Sequence, residues 1–157
     1  MIASLQEVNA VFLNTDFLKS DELHLILQKT TGEDIQRGWL PAYHFSICDP
    51  SGQEMGSCTL RIGHNEHTYY GGNIGYTITE NFRGHHYSGK ACILLLELAR
   101  RHHMTHLFIT CDPDNIPSRR NCEYAGGTLL EIARIPKEND MYQRGSREKC
   151  IYRIDLL

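Results

Sequence analysis

Apolar and polar residues alternate along several short stretches of the chain. Residues 73–79 alternate in this way and are rich in β-branched and aromatic side chains, which predicts a strand. Residues 42–48 and 54–62 show the same kind of pattern on either side of a turn at 49–52, so a hairpin is expected there. The three stretches together predict three consecutive antiparallel strands.

A longer stretch follows the helical period. A helix with a broad buried face is predicted from about Ser88 to His103, because apolar residues recur at i, i+3, i+4 and i+7, namely Ala91, Leu94, Leu95 and Leu98. A second, short helix is expected after the turn at 112–118. Gly126 and Gly127 are suited to end it, since glycine takes up the left-handed backbone that closes many helices.

The remaining elements follow from shorter patterns. The beginning of the chain predicts a strand at 8–13 and a helix that is capped by Asp16 or Ser20 and runs through Leu27. The apolar run at 106–111 predicts a strand parallel to 73–79, because a helix joins the two.

The end of the chain predicts two further strands, at 128–132 and 150–155. Between them, residues 136–149 are too polar for a core and predict either a substrate-side loop or a disordered excursion.

Length and composition narrow the classes of protein. A chain of 157 residues with 41% apolar content fits one domain that spans 1–157. The net charge of -3, with dispersed basic residues, argues against nucleic acid or membrane as a partner. The six cysteines include no C-x-x-C pair, and no signal peptide or membrane span is apparent, so a cytoplasmic protein without a disulfide framework is expected.

The turn at 83–91 carries the strongest functional signal. It contains glycines and leads into a helix N-terminus, where unpaired backbone N–H groups and the helix dipole suit a phosphate. An ordinary strand-to-helix turn is the alternative. Gly84 to Lys90 also fits the nucleotide-binding pattern G-x-x-x-x-G-K, but Ala91 follows where that pattern needs Ser or Thr to bind Mg²⁺.

Four pieces in order resemble the GNAT superfamily of acyl-CoA-dependent N-acyltransferases, and a bacterial subgroup of predicted acetyltransferases in particular. They are the strand at 74–78, a loop of the Q/R-x-x-G-x-G/A type that opens with Arg83, the amphipathic helix, and the pattern Asn115-x-x-Ser118-x-x-x-x-Glu123-x-x-Gly126-Gly127. The resemblance implies an α/β domain with a mixed, mostly antiparallel sheet of six or seven strands, splayed near the cofactor and flanked by helices on both faces. Its clear part covers about residues 70–130.

By position, the resemblance also implies the residues that bind acetyl-CoA. The strand backbone would run beside the pantetheine, the loop N–H groups would hold the pyrophosphate, and two residues of the short helix would lie near the thiol. These positions are, in order, Tyr76, Thr77 and Ile78; Arg83, Gly84, His85, His86, Tyr87, Ser88 and Gly89; and Asn115 and Ser118.

The sequence departs from the family pattern at several of its functional positions. His86 and Ser88 stand at the two loop glycines, and His86 brings a bulky side chain close to the expected phosphates. Cys122 stands where some members carry a tyrosine acid. Asn73 occupies a position that often bears a glutamate base, and asparagine cannot take a proton.

The implied function is transfer of an acetyl or other acyl group from acyl-CoA to a primary amine, without a metal. The backbone N–H of Tyr76 and the carboxylate of Glu123 are the catalytic candidates. Direct attack by the amine is expected, because neither Cys111 nor Cys122 has a nearby histidine to activate it. A CoA-binding module without turnover is the alternative, and a P-loop nucleotide-binding protein a remote one. The acceptor, a small molecule or peptide, and the oligomeric state, monomer or homodimer, stay open.

Overall fold

The computed structural model describes residues 12–156, which form two antiparallel sheets and four α-helices. The first sheet contains β1 (His24–Thr31), β2 (Ala42–Cys48), β3 (Glu54–Arg61) and β4 (Ile74–Ile78), in the order β1-β2-β3-β4. The second contains β5 (His106–Cys111), β6 (Thr128–Arg134) and β7 (Glu148–Asp155), in the order β5-β7-β6. The helices are α1 (Glu66–Gly71), α2 (Tyr87–Arg101), α3 (Ile116–Tyr124) and α4 (Asp140–Gln143).

The helices pack on both faces of the second sheet, as expected. Leu107 and Ile109 of β5 face a core that includes the apolar side of α2 and Cys122 of α3. Phe108 lies on the opposite face, where it packs with Tyr69 and Tyr70 of α1. The seven strands and these layers confirm the predicted fold class, although the strands form two sheets instead of one.

The prediction of a helix through Leu27 is wrong, because this stretch is strand β1. Leu23 and Leu25 are buried, whereas Ile26 and Leu27 are largely exposed. The alternation at Leu23 to Ile26 is that of a strand, and β1 pairs with β2 from His24↔Cys48 to Thr31↔Ala42. Long-range pairing thus outweighs the helical pattern. In the predicted strand at 8–13, residues 8–11 lie outside the described part, and 12–13 belong to no strand.

Two other segments contain short helices that the sequence did not predict. The polar link after β3 includes α1, which is capped by the side chain of Asn65. The polar segment 136–149 is an ordered structure around α4, so the alternative of a disordered excursion is wrong. Asp112 fastens this segment to the end of β5, since its carboxylate accepts from Ser146 Oγ at 3.1 Å and lies 2.9 Å from Lys149 Nζ.

The predicted ending of α3 is confirmed in detail. Gly126 has a φ of +96°, and its N–H donates to the carbonyl of Glu123. The N–H of Gly127 donates to the carbonyl of Cys122 at 2.9 Å. This pair of bonds is the Schellman ending, which satisfies the last carbonyls of a helix.

A buried asparagine joins the two sheets. Asn73 is 0% exposed, and its backbone N–H donates to Phe108 O at 2.7 Å while its Oδ1 accepts from Phe108 N at 2.9 Å. Its Nδ2 donates to the carbonyls of Arg61 and Gly63 at 3.1 and 2.7 Å. β4 and β5 therefore meet at Asn73, but they share no hydrogen-bonded ladder among the described residues, so the two sheets are splayed beyond it.

Candidate functional site

The main cleft, of about 660 Å³, lies between β4, the loop that follows it and the first turns of α3. Ten of the twelve predicted binding residues line it, namely Tyr76, Thr77, Ile78, Arg83, Gly84, His86, Tyr87, Ser88, Asn115 and Ser118. His85 and Gly89 do not line it. Four lining residues were not predicted from the sequence, namely Phe82, Pro117, Arg120 and Asn121.

The free edge of β4 presents backbone groups to this cleft. Arg61 N donates to Asn73 O at 2.8 Å, and Thr79 N donates to Met55 O at 2.9 Å. Hydrogen-bonded and non-hydrogen-bonded pairs alternate in an antiparallel ladder. Since the odd-numbered residues bond to β3, the N–H groups of Tyr76 and Ile78 point to the other edge.

The loop before α2 exposes several further N–H groups. The first helical bond at this end runs from Lys90 N to His86 O, at 2.9 Å. Within residues 12–156, the N–H groups from Gly84 to Gly89 have no protein acceptor. These groups and the positive end of the 15-residue helix α2 suit an anion.

Side chains add positive charge to the cleft. Arg83 and Arg120 line it, and none of the described residues around it is an aspartate or glutamate. Arg83 Nε donates to Ile78 O at 3.0 Å, which ties the loop to the free edge of β4. Neither arginine has a salt-bridge partner within residues 12–156.

His86 occupies a backbone conformation that glycine adopts easily. It is the N-cap of α2, with φ 61° and ψ 23°, and its ring stacks on Tyr124 of α3 at a centroid distance of 5.1 Å. The bulky side chain at this loop position therefore packs sideways against a neighbouring helix.

Gly89 has a packing role. It is buried, and a Cβ at this position would lie 2.3 Å from Tyr124 Cδ1 and 2.9 Å from Asn121 Oδ1. The absence of a side chain thus lets α2 and α3 approach closely. Gly84, in contrast, has a φ of +91°, and a Cβ at this position would meet no other atom within 4 Å.

The phenol of Tyr76 is a partly buried group of the cleft. Its hydroxyl donates to Ser118 Oγ at 3.4 Å, and burial is the main cause that raises the pKa of Tyr76 to about 12. The phenol therefore stays protonated at neutral pH. Asn115 caps α3, since its Oδ1 accepts from Ser118 N at 3.3 Å.

The other chemical candidates lie elsewhere. Glu123 is exposed and does not line the cleft. Cys122 is 0% exposed, and a hydrogen bond with Cys111, followed by burial, raises the pKa of its thiol. Cys122 is thus a weak nucleophile, because the thiolate is the reactive form.

Three of the histidines outside the cleft contact other side chains. His64 and His106 stack at 4.3 Å, and burial is the main cause that lowers the pKa of both. His102 contacts the hydroxyl of Tyr43 at 2.6 Å. Within the described residues, no group of three or more His, Cys, Asp or Glu side chains could hold a metal ion.

The structure has a second cleft, of about 500 Å³. Residues 112–114 and 144–148 line it. Asp114 belongs to this cleft and the next residue, Asn115, to the first. Lys149 is the main cause that lowers the pKa of the Asp112 carboxyl, so this group is anionic at neutral pH.

The family follows from a sequence comparison. The family model described as acetyltransferase (GNAT) domain matches residues 4–128, which is more than half of the chain. The chain belongs to the GNAT acetyltransferase family. A comparison with curated proteins gave no significant match. No helix within residues 12–156 has the length and apolar character that a membrane span requires.

Solved structures of this family share the fold. A GNAT-family acetyltransferase from Bacillus anthracis is 20% identical, with a TM-score of 0.58 over 72% of this chain and 66% of that one. An acetyltransferase from Salmonella typhimurium that modifies the N-terminal serine of a 50S ribosomal subunit protein is 22% identical, with a TM-score of 0.55 over 76% and 66%. The microcin C7 self-immunity acetyltransferase, solved with acetyl-CoA and AMP, is 23% identical, with a TM-score of 0.55 over 73% and 61%. The present GNAT chain thus spans less than two thirds of the length of each.

Proposed function

We propose that this GNAT protein transfers an acetyl group from acetyl-CoA to a primary amine, and that the main cleft binds the CoA. The observation that carries the proposal is the cleft itself, where unpaired N–H groups from Gly84 to Gly89 and two arginines adjoin the free edge of β4. A pyrophosphate fits the first set of groups, and an extended pantetheine arm fits an unpaired strand edge.

Backbone groups are suited to supply part of what the reaction needs. The amine nitrogen attacks the thioester carbon, the C–N bond forms, the C–S bond breaks, and the thiolate leaves. The N–H groups of Tyr76 and Ile78 point to the free edge and are suited to polarise the thioester carbonyl. Direct attack is supported by the burial of both cysteines, since Cys122 is 0% and Cys111 6% exposed and neither lines the cleft. The hydrogen bond between the two thiols, the first cause for each, raises the pKa of Cys122 and lowers that of Cys111.

The thiolate takes up one proton as it leaves, and the Tyr76 phenol is suited to supply it. This hydroxyl is in the cleft, is hydrogen-bonded to Ser118, and has a pKa of about 12. A phenol with this pKa is protonated throughout the physiological range, so its proton is present when the C–S bond breaks, and the phenolate that is left regains a proton from water. The attacking amine loses its proton to water or to buffer.

The second cleft is suited to the acceptor amine. Asp114 and Glu148 line it without a salt-bridge partner among the described residues, whereas Asp112 is already paired with Lys149. Asn115 of the main cleft follows Asp114 directly. A carboxylate attracts an ammonium group through charge. In this proposal the segment 136–149 lies on the substrate side, since residues 144–148 line the second cleft.

The first test is a ligand comparison. CoA at about one hundred times its Kd should raise the Tm by about 5 to 10 °C, because a ligand that binds only the folded state stabilises it. Calorimetry with CoA and with Mg-ATP measures the effect. Binding of Mg-ATP without binding of CoA at millimolar concentration would contradict the proposal and favour a P-loop protein.

Turnover needs a second assay. Release of free CoA thiol from acetyl-CoA should depend on an added amine, tested with a panel of peptides and small amines. Tight CoA binding without thiol release from any amine would favour the CoA-binding module. Double-reciprocal plots should intersect, because direct attack needs both substrates bound together.

Gly84→Val should weaken CoA binding by about tenfold or more, since Gly84 lines the cleft and valine disfavours its φ of +91°, so the loop N–H groups are displaced. Gly52→Val is a matched control: Gly52 has a φ of +92°, against +91° at Gly84, and neither has an atom within 4 Å of the added Cβ. Titration calorimetry compares the two. Equal CoA affinities would show that the pyrophosphate lies elsewhere.

A further inference from the structure

An aromatic pair and an arginine adjoin the proposed pyrophosphate loop. The rings of His86 and Tyr124 are stacked in parallel, with 5.1 Å between their centroids and 6° between their planes. His86 is exposed and lines the main cleft, and Tyr124 is 43% exposed. The His86–Tyr124 stack therefore keeps aromatic surface open to a ligand beside the loop.

Three features of the fold accompany this stack. His86 has a φ of 61°, which is uncommon for a residue other than glycine. Gly89 leaves the space that Tyr124 occupies, since a Cβ there would lie 2.3 Å from the tyrosine ring. Ser88 Oγ donates to Asn121 Oδ1 at 3.0 Å and links the first turn of α2 to α3. These features bring the His86 and Tyr124 rings together at the start of α2.

Arg120 adds a cation to the same surface. It lies four residues before Tyr124 on α3, and residues at this spacing are neighbours on one helix face. It is exposed, lines the cleft, and has no salt-bridge partner within residues 12–156. A guanidinium next to a flat aromatic surface matches a phosphate monoester next to a heteroaromatic base.

We propose that the His86–Tyr124 stack binds the adenine ring of CoA and that Arg120 binds its 3′-phosphate. The assignment rests on the proposed function, and it adds that the nucleotide end of the donor is recognised by side chains. A base stacks on aromatic rings through its face, and CoA has its adenosine next to the pyrophosphate, as the stack is next to the loop. The protein should then discriminate CoA from donors that lack the 3′-phosphate or the whole nucleotide.

The test is titration calorimetry with CoA, dephospho-CoA and 4′-phosphopantetheine. Wild-type protein should bind CoA about tenfold more tightly than dephospho-CoA, because a charge-assisted bond to the 3′-phosphate is lost. Arg120→Gln should weaken CoA by about the same factor and leave dephospho-CoA unchanged. His86→Gly should weaken both nucleotides by about tenfold and leave 4′-phosphopantetheine unchanged.

The chain offers a matched control for each variant. His103 has a φ of 60° at the other end of α2, so His103→Gly relieves the same backbone strain without changing the cleft. Arg134 of β6 is exposed and does not line the cleft, so Arg134→Gln removes a similar charge. Both controls should bind the three ligands as wild type does.

The outcomes separate this proposal from the proposed function. If His86→Gly binds all three ligands as His103→Gly does, the adenine does not stack on His86. If Arg120→Gln weakens the binding of CoA and of dephospho-CoA equally, Arg120 does not bind the 3′-phosphate. If wild-type protein binds none of the three ligands, the proposed function itself fails.

Discussion

Asn73→Leu is expected to lower the free energy of unfolding by about 4 kcal/mol, because the substitution leaves several buried backbone groups without a partner. The leucine cannot accept from Phe108 N–H or donate to the carbonyls of Arg61 and Gly63, which the Asn73 amide satisfies at 2.9, 3.1 and 2.7 Å. Each unsatisfied buried group costs about 1 to 3 kcal/mol. Urea unfolding measures the change as a lower midpoint at constant slope.

Asn139→Leu is the matched control, because Asn139 is a second buried asparagine, at 7% exposure. Its side chain caps the short helix α4 through one bond to Met141 N at 2.9 Å. Loss of such a cap costs about 1 kcal/mol. Equal destabilisation by the two substitutions would show that Asn73 does not hold the sheets together.

The same substitution links stability to the site. Asn73 is the point beyond which β4 and β5 separate. The free edge of β4 beyond this point lines the main cleft. If the separation of the two sheets makes room for CoA, Asn73→Leu protein that is still folded should bind CoA more weakly than folded Asn139→Leu protein. Glutamate, which the resemblance would place at this position, would bring a larger, ionisable group into this fully buried setting.

The sequence predicts best those elements whose pattern is local. Helix α2 has apolar residues at helical spacing. It also has two arginines in its last turn, where their positive charge interacts favourably with the helix dipole. The hairpin of β2 and β3 has the turn at Asp49, whose carboxylate accepts from Ser51 N and Gln53 N. These interactions lie within a few residues of one another, so a short window contains the information.

Long-range partners explain the elements that were not predicted. Strand β1 reads as a helix from Ser20 to Leu27, and only its pairing with β2 makes it a strand. Ser20 does accept from the N–H groups of Glu22 and Leu23, at 3.2 Å each, so the capping signal is real but closes a turn. Asn73 bonds to a residue 35 positions away, which no local pattern reveals.

The candidate site divides in the same way. The loop from Arg83 to Ser88 was predicted from glycine and motif spacing, and it does line the cleft apart from His85. Arg120 and Asn121 reach the cleft because α3 packs closely on α2 at Gly89. Pro117, Arg120, Asn121 and Tyr124 recur at i, i+3, i+4 and i+7 on α3, and this spacing was the available signal that they share a face.

Tyr76→Phe is expected to lower kcat for acetyl transfer by about 100-fold or more, which is the scale of general acid catalysis. The ring of Tyr76 packs against the core, and phenylalanine keeps this contact while it removes the hydroxyl. The affinity for CoA should therefore change little. Steady-state kinetics with thiol release, together with calorimetry for CoA binding, separates the loss in kcat from a loss in binding.

Tyr87→Phe provides the comparison, because Tyr87 is the other tyrosine among the residues that line the main cleft. A larger loss in kcat for this variant would assign the proton to Tyr87 and contradict the role of Tyr76.

The pH profile of kcat gives an independent measure of the role of Tyr76. Burial raises the pKa of Tyr76 to about 12, and the protonated phenol is the active form, so kcat should show no alkaline decline from this group until pH approaches that value. A decline in wild-type kcat near pH 9 that Tyr76→Phe abolishes would contradict a phenol with a raised pKa. A wild-type kcat that stays level to about pH 10, with a level but lower kcat in Tyr76→Phe, supports it.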